Sequence, residues 1–125
     1  MLVLDNPFHG EFNSADASTP ADEPAARFSL FNRDKTAITL AAGDRVVITD
    51  IVIVVGSAIT VYVFDGANTT VAAGERISVG SFPANGGVKD GATTPHYCAA
   101  GTYPKLKTSG AGQVDAIIRG HIVSG

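Results

Sequence analysis

From Phe28 onward the chain runs in short apolar stretches separated by glycines and polar turns. Thr36-Ala37-Ile38-Thr39-Leu40 alternates as a half-buried strand does. Arg45 to Val55 is nearly all valine and isoleucine, and Gly56-Ser57 breaks it. Ile59 to Asp65 alternates again, with Ile59, Val61 and Val63 on one side and Thr60, Tyr62 and Phe64 on the other. Adding Phe28–Phe31, Glu75–Phe82, a stretch near Tyr97–Ala99, Tyr103–Thr108 and Val114–Val123 gives about eight predicted strands. Pro83 to Pro95, with Asn85-Gly86-Gly87 and Asp90-Gly91, reads as the longest loop inside the domain. No segment has helical spacing. The pattern predicts an all-β fold, an antiparallel β-sandwich or small barrel.

An internal echo refines this. Leu40-Ala41-Ala42-Gly43-Asp44-Arg45-Val46 returns as Val71-Ala72-Ala73-Gly74-Glu75-Arg76-Ile77, and more weakly as Ser109-Gly110-Ala111-Gly112-Gln113-Val114. Each copy offers a glycine able to take a positive φ and a polar residue that opens the next strand. Equivalent turns of this kind fit the two Greek keys of a jelly roll, and three uneven copies argue against a solenoid.

The long strand raises a question about its two faces. Strict alternation puts Val46, Ile48, Asp50, Val52 and Val54 on one and Val47, Thr49, Ile51, Ile53 and Val55 on the other. A strand in an isolated antiparallel sandwich usually shows water one polar face. Here both are apolar, so a loop or a second subunit is expected over one of them. Val47, Ile51, Ile53 and Val55 are the candidate subunit-interface residues. Asp50, alone among apolar neighbours, is expected at a bulge or beside a base such as Arg119.

Residues 1–27 differ from the rest. Pro7, Pro20 and Pro24 interrupt them, and Asn13 to Thr19 is small and polar. The segment holds five acids against the single base Arg27, whereas residues 28–125 hold seven acids and eight bases, so the net charge of −3 originates in the leader. We expect an extended N-terminal arm over 1–27 ahead of a sandwich domain over 28–125. Leu2, Val3, Leu4, Phe8 and Phe12 would act as apolar pegs that clip onto a neighbour, or else the segment lies on its own domain.

At 125 residues there is room for one domain, and 17% charged residues is thin coverage for its surface, which favours assembly. No basic run tracks phosphates, so direct nucleic-acid binding is not expected. The longest apolar run, Ile51 to Val55, is too short to span a bilayer as a helix, and the N-terminus lacks the pattern of a secretion signal. Synthesis in a cytoplasm is the expectation. Cys98 is the only cysteine, so stability must come from packing or association.

The chain holds little that resembles catalytic machinery. His9, His96 and His121 are far apart, without the spacing that would set two on one metal. Asp44 and Glu75 are explained as strand-entry residues. There is no G-x-S-x-G elbow and no phosphate loop, and Gly110-Ala111-Gly112 leads into a strand instead of a helix. His96 and Cys98 share one side of a strand, but no third orienting group is evident for a nucleophile pair. No cofactor, no metal and no enzymatic activity are expected. Tyr97 and Tyr103 could line a shallow glycan site, although the absence of tryptophan weakens it.

Taken together, the acidic segment 1–27, the unit LAAGDRVVITDI at 40–51, its echo VAAGERISVGSF at 71–82 and the closing VDAIIRGHIV at 114–123 resemble the small head decoration, or cement, proteins of tailed bacteriophages. The resemblance covers most of the chain and is one of general style without a signature motif. It implies a compact β domain, often a homotrimer, on the capsid exterior of a virion. It also implies binding to the major capsid protein at subunit junctions, stabilisation of the shell against internal DNA pressure, and no catalysis. The alternative expectation is a glycan- or receptor-binding module of a tail or fibre.

Overall fold

The computed structural model describes residues 5–125, with the side chains of 5 and 89–94 left out of the description. Eight strands form two antiparallel sheets: β1 (Asp5–Ser14), β2 (Ser29–Asn32), β3 (Arg45–Val55), β4 (Ile59–Phe64), β5 (Arg76–Phe82), β6 (Gly87–Tyr97), β7 (Lys105–Thr108) and β8 (Val114–Val123). A short 3-10 turn covers Pro24–Ala26. One sheet runs β2-β1-β8-β3-β6 and the other β5-β4-β7. The all-β sandwich expected from the alternation is therefore the fold.

The pairs nest like brackets. β4–β5 is innermost, β3–β6 encloses it, and β1–β8 is outermost. Between the last two, the approach to β2 touches β7, through a bridge from Arg27 to Lys105 and a Phe28 N–H donating to the Pro104 carbonyl at 2.9 Å. The chain then leaves that sheet, and β2 pairs with β1 instead.

β1 corrects the expected domain boundary. Residues 5–14 are a strand between β2 and β8, in register from Asp5↔Val123 to Ser14↔Val114. Phe8 and Phe12 are buried in the chain's own core, and the Phe12 ring lies 5.6 Å from that of Phe28. Each buried phenylalanine contributes about 1.5–3 kcal/mol by leaving water. Of the proposed pegs, Leu2, Val3 and Leu4 lie outside the described residues. The local pattern was polar on one side, as β1 requires, but Pro7 and Gly10 disguised it.

Two further expectations differ. Thr36–Leu40 is not a strand; only Phe31↔Ala37 bridges, and Ile38 N–H donates to Leu30. The supposed loop after Pro83 turns at Asn85, with φ of 62°, and becomes edge strand β6 from Gly87. Its glycines and polar residues give the sequence no apolar alternation, and backbone pairing to β3 holds it.

β3 is bulged. Its register against both β6 and β8 shifts between Ile48 and Asp50. One extra residue reverses every side chain beyond it. Val46 and Ile48 point inward before the bulge, and Ile51, Ile53 and Val55 point inward after it, all buried. Thr49 donates its hydroxyl to the Arg119 carbonyl at 3.2 Å, which satisfies an acceptor at the irregularity. Hence Ile51, Ile53 and Val55, expected at a subunit interface, belong to the core, and Val47 is covered as well at 0% exposure. The apolar excess that strict alternation placed on both faces is mostly an inner face read across a bulge.

The echoed turns are geometrically equivalent. The Asp44 N–H donates to Ala41 while Asp44 Oδ2 accepts the Ala41 N–H at 2.9 Å. Glu75 and Ala72 repeat both bonds, with the carboxylate contact at 3.0 Å. Gly74 sits at φ of 84°, where a side chain would be strained, whereas Gly43 has no positive φ.

Candidate functional site

The β3–β6 ladder carries the chemistry at one end. His96 pairs with Ile48, whose side chain points inward, so the imidazole enters the gap between the sheets. Cys98 follows, anchored by its N–H on the Val46 carbonyl at 2.9 Å and fully buried. Asp65 arrives from the opposite sheet, one residue beyond β4. Its Oδ2 accepts the Ala99 N–H at 3.1 Å and lies 3.7 Å from His96 Nε2. That separation is too long for a hydrogen bond. His96 Nε2 is buried without a hydrogen-bond partner among the described residues. The Asp65, His96 and Cys98 donor atoms all lie within 4.8 Å of one another.

His96 and Cys98 thus share a side, as their spacing predicts, and the third group that sequence spacing could not supply is Asp65. It comes from just beyond β4, 31 residues earlier, so no local motif marks it. The trio is poorly suited to nucleophilic catalysis. Burial, with the Asp65 charge adding to it, pushes the Cys98 thiol up to about 12, whereas a catalytic thiol is depressed and reachable.

Next to the trio a polar network closes this end of the sandwich. Lys105 is 1% exposed, and its Nζ donates to the Gly66 and Tyr103 carbonyls and pairs with Glu23 Oε1 at 3.0 Å. Glu23 also receives Arg27 through Nε at 2.9 Å and Nη2 at 2.7 Å. The Arg27 hydrogen bond, with Lys105 adding, holds the Glu23 carboxyl below its ordinary range. Arg27 lies 4.2 Å over the Tyr103 ring, and the Tyr103 hydroxyl accepts the Leu40 N–H at 3.0 Å. Glu23 and Arg27 stand four residues apart, but nothing in the spacing of the sequence brings Lys105 or Tyr103 to them. Tyr103 is engaged by this network, and only Tyr97, 56% exposed, keeps the ring that a glycan platform would need.

The other histidines stand apart from the trio. His9 stacks on Phe31 at 5.3 Å and contacts Glu11, and His121 pairs across from Val47. Asp50 is exposed and in register with Arg119 at the bulge.

The other end of β3 is apolar and open. Val54 is 53% exposed beside partly buried Val52, and Ile117 of β8 pairs with Val52. Glu11, Asn13 and Asp115 border this patch, and Asn13 donates its side-chain amide to the Asp115 carboxylate. In comparisons with known proteins no family model matches the chain, and neither a curated protein nor a solved structure matches it.

Proposed function

We propose that this chain is a structural subunit of a viral particle. In this reading it is a head decoration protein that docks on the outside of a shell through the outer face of its five-stranded sheet and performs no catalysis. The observation that carries the reading is the exposed Val54 beside Val52 and Ile117, apolar surface left open on the broad sheet and rimmed by acids. The nested pairing supports it, because bracketed pairs of this order are those of a jelly roll, an architecture common in capsid proteins. Here the second strand has moved to the neighbouring sheet.

Three aliphatic side chains make a small contact, so attachment relies on three copies acting together, and a homotrimer is part of the proposal. Native mass measurement together with co-sedimentation on expanded phage heads tests it. A trimer that sediments with heads, and a Val54→Lys variant whose attachment falls at least tenfold, are the expected results. A wild-type chain that stays monomeric and remains in the supernatant overturns the reading. Removing residues 1–4 asks separately whether Leu2, Val3 and Leu4 serve as pegs.

A glycan-binding module is the second reading, favoured by the exposure of Tyr97. Array binding that disappears in Tyr97→Ala would select it.

A further inference from the structure

We propose that Asp65, His96 and Cys98 form a binding site for a borderline-soft divalent transition metal, zinc in the first instance, that clips the two sheets together. The site is independent of the docking surface at the other end of β3.

Three observations lead there. The first is donor identity: one thiol sulfur, one imidazole nitrogen and one carboxylate oxygen are a set that suits zinc and is foreign to magnesium or calcium. The second is geometry. Zinc bond lengths of about 2.0–2.3 Å place tetrahedral donors about 3.3–3.6 Å apart. Asp65 Oδ2 and His96 Nε2 already stand 3.7 Å apart, and all three donors lie within 4.8 Å, so small side-chain rotations complete the arrangement. Water supplies the fourth position.

The third is the buried His96 Nε2 without a hydrogen-bond partner among the described residues. Buried polar atoms are nearly always partnered, and one left facing a carboxylate at 3.7 Å is arranged to receive a cation. Outer contacts favour the same use. The Ala99 N–H fixes the Asp65 carboxylate and leaves its other lone pairs free, as supporting bonds to metal ligands do. The Cys98 N–H is tied to Val46, so the thiol is held on a rigid ladder. Lys105, the nearby cation, is neutralised by Glu23.

Coordination replaces the S–H bond of Cys98 with a sulfur–zinc bond and releases one proton to solvent. A metal's own charge deprotonates a coordinating thiol outright, which offsets the burial that otherwise keeps this one protonated.

The test uses the full chain, stripped with a chelator, and titrated with zinc and with cobalt(II). One equivalent of zinc should bind with release of one proton, read by calorimetry in two buffers of different ionisation enthalpy. The cobalt(II) form should show a thiolate-to-cobalt charge-transfer band in the near ultraviolet. His96→Gln and Asp65→Asn, both at partly exposed positions, should each weaken binding by at least about tenfold, the loss that even an outer partner's removal causes. Cys98→Ser should abolish the band. The band from the unaltered chain is decisive even if that buried substitution unfolds the protein. Failure of the stripped chain to take up zinc, a cobalt(II) complex without the thiolate band, or wild-type affinity in both His96→Gln and Asp65→Asn would overturn the site.

Discussion

The two ends of the β3–β6 ladder invert the ordinary distribution of residues in opposite ways. At the His96 end, charged and polar groups are drawn inward: Lys105 is buried, and half-buried Glu23, Asp65 and His96 fill the mouth of the sandwich. At the Val54 end, an aliphatic side chain stands half in water. Exposed leucines and valines are common, but buried charges and contiguous open apolar surface are not. At the first end the Lys105–Glu23–Arg27 network is satisfied within the chain, whereas the second end leaves surface for something outside it. Removing a member of that network should therefore cost stability, and removing a group at the second end should only disconnect the protein from its partner.

Phe12→Ala breaks the comparison most severely, because Phe12 lies on the inner side of the same sheet whose outer side carries Val54. A loss of about 3–5 kcal/mol in urea denaturation is expected. A loss near zero would restore a free arm in place of β1. Glu23→Ala at the polar end should cost about 3 kcal/mol, since it leaves Lys105 buried without its carboxylate and Arg27 without its partner.

The same pair sets an acid limit. The Glu23 carboxyl is held below its ordinary value of 4.5, so the unfolded chain takes up its proton first. The stability it confers is complete above that value and drains away as pH falls through the lower folded one. Urea midpoints measured from pH 7 down to pH 3 should show this decline, and Glu23→Gln should flatten it. Cys98 has the opposite sign. Its pKa is raised from 9.0 to about 12, so its contribution is complete below pH 9 and is lost as pH climbs toward 12. Iodoacetamide at pH 8 should label it in urea and leave it untouched in the native chain.

Val54→Thr is the smallest change, within about 0.5 kcal/mol of wild-type stability. Its effect belongs to association, and a large loss of stability would mean that Val54 is part of the core after all.

The fold class was legible because Ile59, Val61 and Val63 alternate cleanly and because the LAAGD and VAAGE turns repeat one hydrogen-bonding scheme. What escaped the sequence has physical reasons. β6 is held by backbone bonds and edge position, which leave no side-chain period. β1 hides behind Pro7 and Gly10. The β3 bulge adds one residue, and alternation counted straight through it assigns Ile51, Ile53 and Val55 to the wrong side. At the polar end, His96 and Cys98 were visible as a pair, but Asp65 joins them only through the packing of one sheet on the other.

The bracketed pairing also fixes an order of events at the ribosome. β8 lies in the middle of the larger sheet, between β1 and β3, yet it follows all seven other strands in chain order among the described residues. Until residues 114–123 emerge, β1 and β3 carry unpaired edges, and at about 5–20 residues per second that interval lasts several seconds. A nascent chain of this design is therefore vulnerable to sticking to its siblings until residues 114–123 emerge, and β8 acts as the keystone that ends the risk.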